Sequence, residues 1–343
     1  MPALAVAEAL RRRGAEVRFL GVAGRSSTGL VEQYGFAEDA IALRGLARRL
    51  TPRNFTAIVL AALAIPRAMR RIRRHHADVV IAAGGYVGGP AAIAARLTRR
   101  PLILTEADSH LGLANRLAAP LAKRVALAYP LAGRRGRRYV VTGRPVSEAV
   151  RGATRVAGRR ALGLAPDATV VVVAGGSQGA RSLNEAAVGA FGDGPPFALI
   201  HLAGPQNVGA IRQRLETMTP GPNYHLFGYL DNFPDALAAA DLVVSRSGGS
   251  VFEIAAIGRA SILVPYPHAT GDHQAKNAQW LEEAGAAWVL PDTECTPERL
   301  RELVGALLSD RHMLDAMAEA AHRSGKAEAA DQIAEIALAA VRR

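Results

Sequence analysis

The feature that most limits how this chain can fold is a repeated pairing of a short, β-branched apolar run with an alanine-rich stretch of helical character. The runs lie at Glu16–Val22, Asp78–Ala83, Pro101–Thr105, Thr169–Ala174, Phe197–Leu202, Leu242–Ser245 and Ser261–Pro265. A strand that is apolar on both faces must be covered on both. In a repeating strand–helix order this means a parallel sheet with helices on each side. The expected class is α/β, with doubly wound sheets. A chain of 343 residues is also long for one core, since single cores stop growing at roughly 250–300 residues. The alternation restarts after Arg144-Pro145. This predicts a first domain over residues 1–146, a second over 147–325, and a final helix, 326–343, packing back towards the first domain.

Charge separates the same two halves. Residues 1–146 hold 25 Lys and Arg against 8 Asp and Glu, whereas the remainder holds 17 against 22. A field of that sign attracts anions: nucleic acid, anionic lipid or a pyrophosphate. Nucleic acid is excluded as a partner, because aromatics are 5% of the chain and none interleave with the arginines to form a stacking platform. Within this half Leu60, Leu63, Ile65, Met69 and Ile72 alternate with Arg67, Arg70, Arg71, Arg73 and Arg74. That pattern suits attachment to an anionic membrane surface, although apolar periodicity alone also describes a core-facing helix. The longest uncharged apolar run, Phe55 to Pro66, is short of the roughly 20 residues a spanning helix requires. A single cysteine, Cys295, cannot form an intrachain disulfide, and a cytoplasmic location is expected.

Three segments place a glycine-rich turn between an apolar strand and a helix: Val79 to Pro90, Val171 to Ala180 and Val243 to Ser250. Such a turn brings backbone N–H groups to phosphate oxygens at the positive end of the following helix dipole. One turn of this kind is equally explained by tight strand–helix packing. Three in one chain favour a diphosphate ligand. None is a Walker A motif, and none has the Gly-x-Gly-x-x-Gly spacing of dinucleotide sites. After the third turn, Glu253 stands in the first turns of a helix, where a carboxylate can accept bonds from both ribose hydroxyls. Asp272, His273, Gln274, Lys276 and Asn277 then offer hydrogen bonds suited to sugar hydroxyls. Asp272 and His273 lack a third ligand at metal spacing, so neither a metal nor a cofactor is expected.

The stretch Gly175-Gly176-Ser177-Gln178-Gly179-Ala180-Arg181, the segment Ser245 to Glu253, and Pro267-His268 through Asn277-Ala278 resemble the MurG family of N-acetylglucosaminyltransferases. In the first half, Pro2 to Ala7, Gly84-Gly85-Tyr86-Val87 and Leu111 to Leu117 resemble the same family. The resemblance implies a GT-B architecture, two Rossmann-like domains facing a cleft, and inverting transfer in peptidoglycan synthesis. The implied donor is UDP-N-acetylglucosamine and the implied acceptor an undecaprenyl-linked muramyl pentapeptide. Attachment would be peripheral, to the anionic inner leaflet from the cytoplasmic side. By matching position, Ser177 and the turn Gly248-Gly249-Ser250 are implied for the donor diphosphate, Glu253 for ribose, Leu230 for uracil through its backbone, and Gln274 for sugar hydroxyls. Gln178, Gly179, His273 and Ser147 are implied as further donor contacts, with Asp108 and Asn115 approaching from the first domain. Gly84, Gly85, Tyr86, Gly88 and Gly89 are implied for the acceptor pyrophosphate.

The chain departs from the family at several points. Glu106-Ala107-Asp108 stands where the family has Glu-Gln-Asn, and Gly143-Arg144-Pro145-Val146-Ser147 where it has Gly-Asn-Pro-Val-Arg. The family opens with a strand and a glycine-rich loop carrying a histidine, whereas this sequence opens on the helix Pro2–Arg13. Three expectations result: a natural start upstream, weak turnover of the chain as written, and a catalytic role for Glu106 or Asp108. Alternatives are another lipid or natural-product glycosyltransferase, a UDP-sugar epimerase of the same fold, or a donor-binding remnant. The basic first half argues against an epimerase acting on a soluble substrate.

Overall fold

The computed structural model describes residues 1–24, 27–43, 52–108 and 110–341. The chain divides into two compact units, one of Met1–Ser147 with Ala327–Arg343 and one of Glu148–Lys326.

The first unit has two parallel sheets. One pairs β1 (Arg18–Val22) with β2 (Ala37–Ile41), and the other has the order β3 (Val80–Ala82), β4 (Leu102–Glu106), β5 (Arg124–Leu127), β6 (Tyr139–Val141). The sheets share helical layers. Leu20 of β1 and Val80 of β3 pack with Ala68, Ile72 and Ala94, while Val17, Val79 and Ile81 pack with the first and last helices. The helix Pro2–Arg12 opens on a proline at its first turn, where the missing N–H costs nothing. Its apolar side, Ala5, Val6, Ala9 and Leu10, meets Ile333, Ala334 and Ala337 of the helix Ala329–Val341. Asp331 takes both Arg12, at 3.1 Å, and Arg13, and Arg13 also reaches Glu335 at 3.2 Å. The terminal helix is therefore part of the first unit's core.

The second unit is one six-stranded parallel sheet in the order β12-β11-β10-β7-β8-β9. Its strands are β7 (Val170–Ala174), β8 (Ala198–Leu202), β9 (Tyr224–Phe227), β10 (Leu242–Ser245), β11 (Ala260–Leu263) and β12 (Ala287–Val289). Every residue of β7 and β10 is buried. This is the physical content of their largely apolar sequence: helices cover both faces, as in a doubly wound sheet. Chain order reverses between β7 and β10, the position at which open α/β sheets leave a crevice at their carboxyl ends.

All seven apolar runs form strands. The strands β2, β5, β6, β9 and β12 were not separately legible; four of them, β2, β6, β9 and β12, lie at sheet edges, where strands carry mixed residues such as Glu38 and His225. Within the helix Pro52–Arg74, the apolar residues read as one membrane-facing set are divided. Ile72 is buried and Met69 packs beside it, whereas Leu63 is 48% exposed. Arg71 is held by Asp39 at 3.1 Å. Part of that stripe is therefore core.

Candidate active site

Two of the glycine turns meet at the switch point of the second unit. The turn after β7 holds Gly176 at φ +84° and Gly179 at φ +75°, a region that L side chains rarely enter. A Cβ on Gly179 would also strike the carbonyl of Ala203. Ser177 and Gln178 are exposed at the tip of this turn. Asn207 Nδ2 fixes it by donating to the carbonyl of Gln178 at 3.2 Å.

The turn after β10 leads into the helix Ser250–Ile257, which ends at Gly258 in the left-handed conformation, the usual αL stop. Ser247 Oγ donates to the carbonyl of Gln274 at 2.8 Å, and Asn277 Nδ2 donates to the carbonyls of Ser247 at 2.9 Å and Gly248 at 3.4 Å. Gln274 Oε1 accepts from the backbone N–H of Tyr266 at 3.0 Å. Gly248, Gly249, Ser250, Gln274 and Asn277 therefore form one assembly, although 20 or more residues separate its two halves in sequence. Glu253 and His273 are half-buried on the helices that flank it, as is Leu230, packed on the core beside β9.

Arg246 was not singled out by sequence reasoning, yet it joins the turns. It is 8% exposed. Its Nη1 donates to the carbonyls of Val264 at 3.1 Å and Pro265 at 3.3 Å and pairs with Asp292 at 2.6 Å. Its Nη2 donates to Ser182 Oγ at 2.8 Å, and the guanidinium lies 5.4 Å from the Tyr266 ring centroid. Ser182 lies in the first turn of the helix Arg181–Phe191, into which the β7 turn feeds. One side chain thus sets the distance between the two turns. The available signal was an arginine immediately after a wholly buried strand.

The first unit gathers Glu106, Asp108, Asn115 and the turn Gly84-Gly85 at the carboxyl ends of β3 and β4. Glu106 is buried, and its oxygens are taken: Oε1 accepts from the N–H of Asp108 at 3.2 Å, and Oε2 from the N–H of Gly112 and from Asn115 Nδ2, both at 2.9 Å. Asn115, 2% exposed, also donates to the carbonyl of Thr105 at 3.0 Å. In this structure the buried carboxylate and amide are bonded to each other and hold the loop in place. Asp108 is exposed, and Arg144 Nη1 donates to the neighbouring Ala107 carbonyl at 3.3 Å. The charges of Arg144 and Asp108 both act on the buried Tyr129 hydroxyl, whose pKa is raised chiefly by burial. Gly84 caps the helix Gly85–Leu97, so Tyr86, Gly88 and Gly89 form its first turns rather than a loop. An N-terminus of this kind presents N–H groups to an anion. Ser147 is buried at the end of the unit.

Behind the β7 turn, a buried network supports Ala203, the residue on which Gly179 rests. His201 Nε2 bonds Asn184 Oδ1 at 3.0 Å, His201 Nδ1 bonds the Tyr224 hydroxyl at 2.7 Å, and Asn184 Nδ2 donates to the Ala203 carbonyl at 2.9 Å. Burial pushes the His201 pKa down to about 4. The unfolded imidazole, near 6.5, therefore takes up a proton before the folded one does. Stability from this group is complete above pH 6.5 and declines as pH falls towards 4. Integrated over that window the loss is about 3 kcal/mol. Urea unfolding at pH 7.5 and pH 5 should show most of this difference, and His201→Gln should flatten the pH dependence. Equal slopes for both proteins would refute it.

Among the described residues, no helix is long and apolar enough to cross a membrane. The glycosyltransferase family 28 N-terminal domain matches residues 1–127, and the family 28 C-terminal domain matches residues 170–333. A Rubrobacter xylanophilus protein named UDP-N-acetylglucosamine--N-acetylmuramyl-(pentapeptide) pyrophosphoryl-undecaprenol N-acetylglucosamine transferase is 38% identical over 341 residues, covering 98% of this chain and 99% of its own length. A Halothermothrix orenii protein of the same name is 36% identical over 338 residues, covering 95% and 91%. The crystal structure of Acinetobacter baumannii MurG superposes with a TM-score of 0.77 at 29% identity, covering 98% of this chain and 95% of that one. With likeness of this extent over both units, the chain belongs to glycosyltransferase family 28, within its MurG branch.

Proposed function

We propose that the chain moves N-acetylglucosamine from UDP-N-acetylglucosamine to the muramyl 4-hydroxyl of an undecaprenyl-pyrophosphoryl N-acetylmuramyl pentapeptide, with inversion, in peptidoglycan synthesis. The observation that carries this reading is the full-length identity to transferases named for that reaction. The epimerase alternative has no comparable support. The direct test is transfer of labelled sugar from UDP-N-acetylglucosamine to the lipid-linked muramyl acceptor. Release of free sugar or of an epimer, without lipid product, would overturn the reading.

In this reading the donor lies on the second unit. The N–H groups of the turns at Gly176–Gly179 and Gly248–Ser250 hold the diphosphate, and helix dipoles oppose the charge that develops on departing UDP. Glu253 accepts from the ribose hydroxyls, Leu230 faces uracil, and Gln274 with His273 meets the sugar. Glu253→Ala should weaken binding of UDP-N-acetylglucosamine by about 1–3 kcal/mol, the worth of hydrogen bonds to a charged group. Calorimetry giving the same affinity for the variant would remove Glu253 from the site. The acceptor pyrophosphate lies on the first unit, at the N-terminus of the helix Gly85–Leu97. Asp108 takes the proton from the attacking hydroxyl, since Glu106 has its oxygens committed to the loop.

Peripheral attachment, on the cytoplasmic face, uses the first unit. Leu63, Ile93, Leu97, Leu113 and Leu117 are each at least 40% exposed, on three helices that pack in succession. Beside Ala122 lies a hollow of ≈ 480 Å³ lined by Lys123, Arg124, Arg135, Arg137 and Arg138. No Asp or Glu occurs between Asp108 and Glu148, so the sequence around the hollow carries no local countercharge. Exposed leucines and such a hollow on the same unit suit an anionic bilayer, each cation near the headgroups adding about 1 kcal/mol. Replacing Arg135, Arg137 and Arg138 with Gln should weaken sedimentation with phosphatidylglycerol vesicles and leave neutral vesicles unaffected. Equal sedimentation of both proteins at every lipid composition would count against this face.

A further inference from the structure

At the amino-terminal edge of the second unit's sheet, opposite the glycine turns, four arginines surround one aspartate. Asp241 immediately precedes β10 and is buried. Its Oδ1 accepts from Arg155 Nη2 at 2.5 Å and Arg311 Nη1 at 3.4 Å, and its Oδ2 from Arg159 Nη2 at 3.0 Å and the N–H of Val170 at 2.9 Å. A carboxylate has about four acceptor positions, so Asp241 is fully occupied. Arg159 is satisfied as well, donating in addition to the carbonyls of Ala239 and Pro166. Asp167 lies within electrostatic reach of Arg159, and the exposed Asp315 holds the Nε side of Arg311.

Arg259, just before β11, is the member left over. Its buried Nε has no hydrogen-bond partner. Burial, followed by the charge of Arg155, pulls its pKa down to about 10. Asp241 and Arg259 immediately precede the paired residues Leu242 and Ala260 of neighbouring strands, so Arg259 stands beside a carboxylate that is already saturated, which leaves an excess of positive charge and an unused buried N–H donor. Arg155 and Arg311 are 35% and 62% exposed, so a solute can reach them.

We infer that Arg155, Arg259 and Arg311 form a binding site for a phosphate-type oxyanion at this edge. A tetrahedral anion bridging Arg155 and Arg259 supplies the acceptor that Asp241 cannot, and guanidinium forks match its geometry. The ligand is a free phosphate, a phosphate ester in solution, or the phosphodiester of a lipid headgroup. The site does not depend on the transferase reading, because binding at it is measured directly and with the donor turns already filled.

The test is equilibrium dialysis of the full chain against radiolabelled inorganic phosphate, at constant ionic strength in chloride and with saturating UDP. Arg155→Gln combined with Arg311→Gln keeps the buried Arg159–Asp241 pair, so the variant should fold. Its phosphate affinity should fall by at least about tenfold, as expected when charge-assisted hydrogen bonds are removed. A urea midpoint measured without phosphate confirms that the compared proteins are folded. Phosphate that binds no better than chloride, or binds the variant equally well, overturns the site. Phosphatidylglycerol vesicles distinguish the sources. Competition between vesicles and phosphate, lost in the variant, identifies a headgroup, whereas vesicle binding that ignores both phosphate and the variant identifies a soluble phosphate.

Discussion

Asp108→Asn is expected to lower kcat by about 10²–10⁴-fold, the usual contribution of a general base, with little change in the affinity for UDP-N-acetylglucosamine. The two carboxylates on the β4 loop are chemically alike and two residues apart, but their surroundings assign them different work. Glu106 is buried and accepts from two backbone N–H groups and a buried amide, so it is engaged in holding the loop. Asp108 is exposed and follows a carbonyl fixed by Arg144. Asn keeps the shape of the side chain and removes its basicity. Glu106→Gln should act differently. It exchanges an acceptor for a donor opposite Asn115 and loosens the loop, lowering stability and kcat together. Steady-state kinetics beside urea unfolding separate the cases. Full activity in Asp108→Asn would exclude Asp108 as the base.

Asp241→Ala should destabilise the second unit by about 3–5 kcal/mol, because it strands a buried arginine charge. Arg159 is 3% exposed and cannot turn to water when its partner is removed, and the N–H of Val170, at the start of β7, loses its acceptor at the same time. Removing both charges should be milder: Arg159→Met with Asp241→Leu no longer strands the most buried of the guanidiniums, Arg155 and Arg311 can turn to solvent, and replacing a buried pair by apolar residues is often close to neutral. The expected order of urea midpoints is therefore wild type, double variant, single variant. A single variant as stable as wild type would show that the pair contributes nothing.

Local sequence was sufficient for whatever rests on local physics. Uninterrupted apolar runs such as Thr169–Ala174 can be satisfied only between two covered faces, so they marked the buried parallel strands. Glycines at Gly176 and Gly179 marked the turns, because the backbone there takes a positive φ. Pro2 and Gly258 marked a helix start and a helix end. The motif residues pointed to the family, since they are contiguous. The short edge strands β2, β6 and β12 were not legible, because one exposed side relaxes the demand for apolar residues.

What the sequence left open concerns partners distant along the chain. Glu106 and Asp108 read as equivalent carboxylates until folding brought Gly112 and Asn115 onto one of them. Arg246 is one of many arginines in the sequence, and only the packing of Ser182, Asp292 and Val264 around it makes it the tie between two turns. Ile72 and Leu63 share a helical stripe, yet Ile72 lies against Ala94 and Leu63 faces outward. The reason is the same each time. Composition and periodicity fix which residues need burial or a special backbone angle, whereas the availability of a lone pair, a charge or an apolar face depends on which distant groups fold against it.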